Sequence, residues 1–274
     1  MATQPFIKLH DGRQMPQLGL GVWQASIDQA RRAALKAIEV GYRSIDTASI
    51  YKNEEGIGQA VREAKVPREE LFITTKLWNS DQRDPRGALE ASLKRLQLDS
   101  VDLYLIHWPV AKQGQFVQAW RGLIELQKAG LAKSIGVSNF HEPHLQKIID
   151  ETGVTPVINQ IEVHPLLQQR ALSAINAKHH IVTESWSPLA QGGEGLFDQK
   201  VILELAKKHG KTPAQIVIRW HLDHGFVVIP KSVTPSRIAE NFAVFDFALD
   251  KGDLAAIAPL DAGKRMGPDP DQFG

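Results

Sequence analysis

Four polar residues stand where short apolar runs end. Asp46 closes the run at residues 44–47 and Tyr51 follows in its exit loop; Lys76 ends residues 71–76, and His107 ends residues 102–107. Singly, each type has an ordinary structural role: a helix cap, a half-buried ring, a solvated amine, a satisfied hydrogen bonder. Together they complement one another. A buried carboxylate is costly unless a cation neutralises it, and a lysine is rarely buried without a partner. Asp46 and Lys76 therefore suit each other. A phenol beside that lysine would have its ionised form favoured, and its pKa is expected to move down from ~10. This makes Tyr51 a candidate proton donor.

A repeat places these residues. Asp11-Gly12 within residues 6–15 is a hairpin dipeptide, so a small hairpin should precede the main architecture. Residues 18–23 form a short apolar strand. Residues 28–40 carry a helical period, with Ala30, Ala33, Ala34, Ala37 and Ile38 inward and Gly41 as the stop. Strands are then predicted at 44–47, 71–76, 102–107, 133–137, 157–163, 181–185 and 226–230. The corresponding helices are at 54–64, 86–96, 116–128, 143–151, 169–178, 199–209 with 213–222, and 235–242. Nearly all-apolar strands rich in Ile, Val and Leu fit a parallel sheet buried on both faces. Eight strand–helix units fit an α/β (β/α)8 TIM barrel with an N-terminal β-hairpin, a single domain over residues 1–274. A doubly wound sheet would require Gly-x-Gly-x-x-Gly after an early strand. Gly19-Leu20-Gly21 lies inside the first strand and lacks the third glycine. Residues 261–274, rich in Gly and Pro, are expected to be a terminal loop.

Composition excludes several classes. The 274 residues are 43% hydrophobic and 23% charged, with 32 basic and 31 acidic side chains and a net charge of +1. No electrostatic footprint for nucleic acid or an anionic membrane follows from that balance. The absence of cysteine removes disulfides, thiolate metal sites and a cysteine nucleophile. Residues 1–12 lack a signal-peptide core, and no run has the roughly 20 apolar residues a membrane helix needs. A cytoplasmic monomer with a small-molecule substrate is expected. His164-Pro165 and His179-His180 raise a metal-dependent hydrolase, but no His-x-His ends the first strand and no acid cluster accompanies them. No metal is expected.

In a barrel, phosphates are commonly held after the last two strands. Lys231, Ser232 and Val233 lead to Thr234, a natural cap, and to Pro235 at the first helical position. With Arg237 one turn on, these residues and the helix dipole would form an anion cradle. An ordinary capped helix with exposed basic side chains is the plain alternative.

The segments Asp46-Thr47-Ala48-Ser49-Ile50-Tyr51, Lys76, His107-Trp108-Pro109, Gly136-Val137-Ser138-Asn139-Phe140, Asn159-Gln160-Ile161-Glu162 and Ile229-Pro230-Lys231-Ser232 together resemble the aldo-keto reductase family. The similarity runs from about Leu9 to Phe273 and is closest to the bacterial 2,5-diketo-D-gluconate reductase branch. The resemblance implies that Tyr51 donates a proton to a carbonyl oxygen while a reduced nicotinamide supplies hydride. Lys76, balanced by Asp46, would stabilise the phenolate, and His107 would orient the carbonyl. It further implies that Lys231, Ser232, Val233, Thr234 and Arg237 hold the 2′-phosphate of NADPH, and that Glu240 and Asn241 meet its adenine. Ser138, Asn139 and Gln160 would contact the nicotinamide amide. Trp186, where tyrosine is commoner in the family, would stack on its ring. Ser187, Pro188 and Leu189 with Gln191 and Gly192 would fold over the pyrophosphate. Trp23, Trp78 and Trp108 would wall the substrate pocket. The implied substrate is a polar keto acid or keto sugar such as 2,5-diketo-D-gluconate, reduced to 2-keto-L-gulonate. The terminal loop, residues 265–274, is short and predicts an open pocket mouth. That leaves a broad reductase of methylglyoxal or β-keto esters as the alternative, and a nicotinamide-sensing barrel as one from another class.

Overall fold

Strands that are apolar along their whole length need cover on both faces, and the central ones receive it. In the computed structural model, which describes residues 4–193 and 195–273, β5 (Phe72–Leu77) and β6 (Val101–Ile106) are buried at every position. Eight parallel strands form one sheet: β3 (Gly19–Gly21), β4 (Ser44–Asp46), β5, β6, β7 (Ala132–Ser138), β8 (Ile158–Glu162), β9 (Val182–Trp186) and β10 (Val227–Val228), in that spatial order. The edges meet. Parallel bridges Leu18–Val228 and Gly21–Lys231 close the sheet into a barrel. A Cβ on Gly21 would stand 2.9 Å from the carbonyl oxygen of Ile229, so glycine is what lets the seam approach this closely.

Helices α1 (Ile27–Val40), α2 (Glu54–Glu63), α3 (Pro85–Leu96), α4 (Phe116–Lys128), α5 (Glu142–Thr152) and α6 (Arg170–Lys178) alternate with the strands. After β9 come the short kinked α7 (Ala190–Gly193), then α8 (Lys200–His209) and α9 (Pro213–Asp223); α10 (Pro235–Phe242) and α11 (Lys251–Ile257) follow β10. The last of these was not expected from the sequence. Glu194, in the glycine-rich run Gln191-Gly192-Gly193-Glu194-Gly195 that the sequence leads one to expect as a loop, lies outside the described residues, as do residues 1–3 and 274.

The predicted hairpin pairs β1 (Phe6–Lys8) with β2 (Gln14–Pro16). Its buried Leu9 and Met15 join Phe72, Leu103, Leu105, Ile158 and Val227 in a small core distinct from the larger one between sheet and helices. Since Phe72 opens β5 and Ile158 opens β8, the hairpin plugs the N-terminal end of the barrel. The polar residues of interest lie at the other end.

Candidate active site

The loop carrying Tyr51 is pinned by buried polar contacts on both sides. Asn53 accepts from Thr47 Oγ1 at 2.7 Å and donates to the carbonyls of Val22 and Ala25. Glu54, also buried, accepts from Thr75 Oγ1 and from Arg95 Nε, each at 2.6 Å. A 3-10 turn over Ser49–Tyr51 results, and it aims the phenol back across the strand ends.

Lys76 is fully buried, its Nζ 2.5 Å from Asp46 Oδ1 and 3.0 Å from the carbonyl oxygen of Thr47. Burial pulls its pKa down. The charges of Asp46 and Tyr51 and the hydrogen bond to Asp46 outweigh that, and the ammonium sits above its ordinary value. Lys76 Nζ lies 5.2 Å from the Tyr51 ring centroid. Tyr51 departs from expectation: burial raises its pKa, and the charge and hydrogen bond of Lys76 lower it only in part, for a net rise. The lysine acts in the anticipated direction, but withdrawal from water is the larger effect. The His107 ring stands edge-on to Tyr51, 5.7 Å between centroids. Burial and the Lys76 charge hold His107 well below the usual histidine pKa, so it is neutral near pH 7. Among the described residues its Nδ1 is buried without a partner.

Ser138, Asn139 and Gln160 are buried beside this group, but their polar atoms are largely engaged. Ser138 Oγ donates to the Gln160 carbonyl at 2.8 Å, and Asn139 Nδ2 donates to the His107 carbonyl and to Ser138 Oγ. Asn139 Oδ1 accepts from Trp186 Nε1 at 2.8 Å, which fixes the indole. Gln160 Nε2 donates to Asp46 Oδ2 and to Glu184 Oε2, both at 2.9 Å. Sequence reasoning overlooked Glu184. An acid inside an apolar strand, in Val182-Thr183-Glu184-Ser185-Trp186, was the available signal.

Two of the three tryptophans expected at the pocket share ring contacts. Trp78 packs on His107 at 5.1 Å and on Phe273 at 6.4 Å; Trp108 packs on Phe273 at 4.4 Å and on Trp186 at 6.4 Å. Trp23 stands 47% exposed and shares none of these ring contacts. The terminal arm is bonded to the ends of the strands. Buried Glu162 accepts from the backbone N–H groups of Met266 and Gly267 at 2.5 and 3.1 Å, and from His164 Nε2 at 3.0 Å. His164, weighed above as a metal ligand, thus serves this clasp. Gln191 Nε2 adds a bond to the Met266 carbonyl. The terminal arm is therefore laid across the strand ends. Among the described residues, His141, Asp269 and Asp271 have ligand atoms within 4.8 Å of one another, but His141 Nδ1 already pairs with Asp271 at 3.0 Å.

On the far rim, the loop after β9 turns through left-handed backbone at Ser187, Ala190, Gln191 and Gly192, with Pro188 buried and Leu189 half-buried. Thr234 occupies the N-cap of α10, but its side chain makes no capping bond; Ser232 Oγ instead accepts from its N–H at 3.2 Å. The first-turn N–H groups are thus left uncapped, with Val233 half-buried behind them. Lys231 and Arg237 are exposed and form no ion pair among the described residues. Uncapped N–H groups beside two free cations suit a phosphate. Glu240 is partly committed, accepting from Thr212 Oγ1 at 2.8 Å, while Asn241 is buried.

Residues 17–262 match the model of the Aldo/keto reductase family. The chain is 71% identical over 274 residues to "Methylglyoxal reductase DkgA" of Escherichia coli (strain K12), covering all of both chains. It is 69% identical over 274 residues to the protein of that name from Yersinia pestis, covering 100% of this chain and 99% of that one. Among solved structures, a mutant of Gox0644 in complex with NADPH superposes with a TM-score of 0.95 at 50% identity, over 99% of each chain. The Bombyx mori aldo-keto reductase in complex with NADP superposes with a TM-score of 0.92 at 38% identity, over 99% of this chain and 97% of that one. The chain belongs to the aldo/keto reductase family and is an oxidoreductase.

Proposed function

We propose that this protein is an NADPH-dependent reductase of small carbonyl compounds, with Tyr51 as proton donor. One observation carries this: Lys76, fully buried, bonds Asp46 at 2.5 Å and stands 5.2 Å from the centroid of the Tyr51 ring, on which its charge acts. A cation held at that depth beside a phenol stabilises the phenolate left when the proton departs. His107, neutral, offers Nε2 to the carbonyl oxygen and aligns it toward Tyr51. The cofactor, when bound, supplies hydride. Trp186, pinned by Asn139, presents a flat face for its nicotinamide, beside Ser138, Asn139 and Gln160. Lys231, Ser232, Arg237 and the open first turn of α10 fit its 2′-phosphate, which favours NADPH over NADH. We take residues 1–274 as one domain, a cytoplasmic monomer.

Tyr51→Phe tests the donor. We expect kcat for carbonyl reduction to fall by about 10²–10⁴, the contribution of a positioned acid, while NADPH binding followed by fluorescence stays intact. Full activity in that variant would refute the role. Relatives named methylglyoxal reductase at 69% and 71% identity make methylglyoxal the first substrate to assay, ahead of β-keto esters and 2,5-diketo-D-gluconate. NADPH consumption across that panel also separates a reductase from a nicotinamide sensor, which would consume none. At Lys231, a charge-assisted hydrogen bond is worth about 1.5–3 kcal/mol. Lys231→Ala is accordingly expected to lose about ten- to a hundredfold of the preference for NADPH over NADH.

A further inference from the structure

We propose that Glu184 is a positioning residue that modulates the protonation of Tyr51 from within the barrel, tied through Gln160 to the Asp46–Lys76 pair. This deepens the function proposed above and takes its meaning from it. Gln160 and Glu184 are register partners on β8 and β9, so their side chains enter the barrel side by side. The amide nitrogen of Gln160 bridges Asp46 Oδ2 and Glu184 Oε2 at 2.9 Å each, and Asp46 is in turn bonded to Lys76. Four side chains from β4, β5, β8 and β9 thus form one chain of contacts, all four buried, whose Lys76 Nζ stands 5.2 Å from the Tyr51 ring centroid.

Among the described residues Glu184 forms no ion pair of its own. Among the described residues its Oε1 is buried without any partner, and its register neighbour on β10 is the apolar Val227. The charged groups facing it are Asp46 from β4, which repels a second negative charge, and Lys76 from β5, already matched to Asp46. A carboxyl so placed is retained as the neutral acid at neutral pH; burial and then Asp46 push its pKa up to about 8. Below that point the buried set holds one positive and one negative charge. Above it, a second negative charge appears in the same enclosed space. That charge raises the pKa of both Tyr51 and Lys76. The consequence is directional: as the solution becomes alkaline, Glu184 ionises first and holds the proton on Tyr51.

The test is an alkaline titration of phenolate absorbance, with Tyr51→Phe as the blank. The chain has only three tyrosines; Tyr42 and Tyr104 are buried and held at raised pKa values by that burial, and the blank subtracts both. E184Q removes the charge but keeps an oxygen to accept from Gln160. The Tyr51 midpoint is expected to fall by about one pH unit, as for a unit charge several ångströms away at an effective dielectric of about 20. Carbonyl reduction should lose its alkaline limb at a correspondingly lower pH. An unchanged midpoint in folded E184Q would overturn the proposal. Should E184Q fail to fold, E184D withdraws the carboxyl by one methylene and is expected to shift the midpoint in the same direction; no shift there would overturn it equally. The titration reads the phenol directly, so loss of this proposal is distinguishable from loss of the reductase assignment, which turns on NADPH consumption.

Discussion

Lys76 and Asp46 are each costly to bury and are tolerable only as a pair. Removing one is expected to hurt more than removing both. Lys76→Met leaves a buried carboxylate whose one remaining side-chain bond among the described residues is to Gln160, and breaking such a pair costs about 3–5 kcal/mol. The double variant Asp46→Asn/Lys76→Met should recover most of that loss of stability in urea denaturation while remaining inactive; equal losses in the single and double variants would contradict the pairing. Glu184 adds a pH dependence whose sign follows from its environment. Its carboxyl titrates near 4.5 in an ordinary setting and near 8 when folded, so between those values the folded chain binds more protons than the unfolded one. Stability must therefore decline as pH rises through that window. E184Q should lose less of its melting temperature over the same interval than the parent protein does.

At the level of elements, the terminal arm is the part least foreseeable from its composition. It has no regular structure, yet Glu162 at the end of β8 takes two of its N–H groups, and Gly267 lies against the Trp186 ring. A Cβ there would overlap Cη2 of Trp186, whose indole Asn139 already restrains. The arm must yield, and Phe273 with it. Gly267→Ala is accordingly expected to raise KM for the carbonyl substrate several-fold with a smaller change in kcat, as befits a change in ground-state binding; steady-state kinetics that leave KM untouched would argue against an arm seated on the pocket. The strands and the residues at their exits were legible because a parallel sheet demands continuous apolar runs and makes each polar break conspicuous. Asp46, Lys76 and His107 are such breaks. Glu162 and Glu184 are breaks too, but what each serves depends on groups about a hundred or more residues away: Met266 for one, Asp46 for the other. Spacing along the chain holds no trace of that. Helix α11 escaped for a local reason: seven residues, Lys-Gly-Asp-Leu-Ala-Ala-Ile, with an interior glycine, give little periodicity. Its capping box, Asp250 with Asp253, was the clue available.

Across the whole molecule, the barrel separates the plug that supports it from the site proposed for its chemistry. Polar groups gather at the C-terminal ends of the strands, in keeping with barrels in general. The opposite end is closed by the hairpin, with Leu9 and Met15 buried on Phe72, Leu103 and Val227. Ser134 Oγ bonds Asp11 Oδ2 at 2.6 Å and His10 Nε2 meets the Pro156 carbonyl at 3.1 Å, fixing the plug from two sides. A cavity opened there should weaken the fold without reaching Tyr51, because β3 to β10 are hydrogen-bonded around the full circuit and the interior between the two ends is filled. Met15→Ala removes a fully buried side chain, for which the usual cost is about 2–5 kcal/mol. A lowered urea midpoint of that size with kcat/KM unchanged at a temperature where the variant is folded is the expected outcome. If kcat/KM fell in step with stability, the two ends would have to be coupled through the strands, and the hairpin would belong to the functional machinery rather than to the support beneath it.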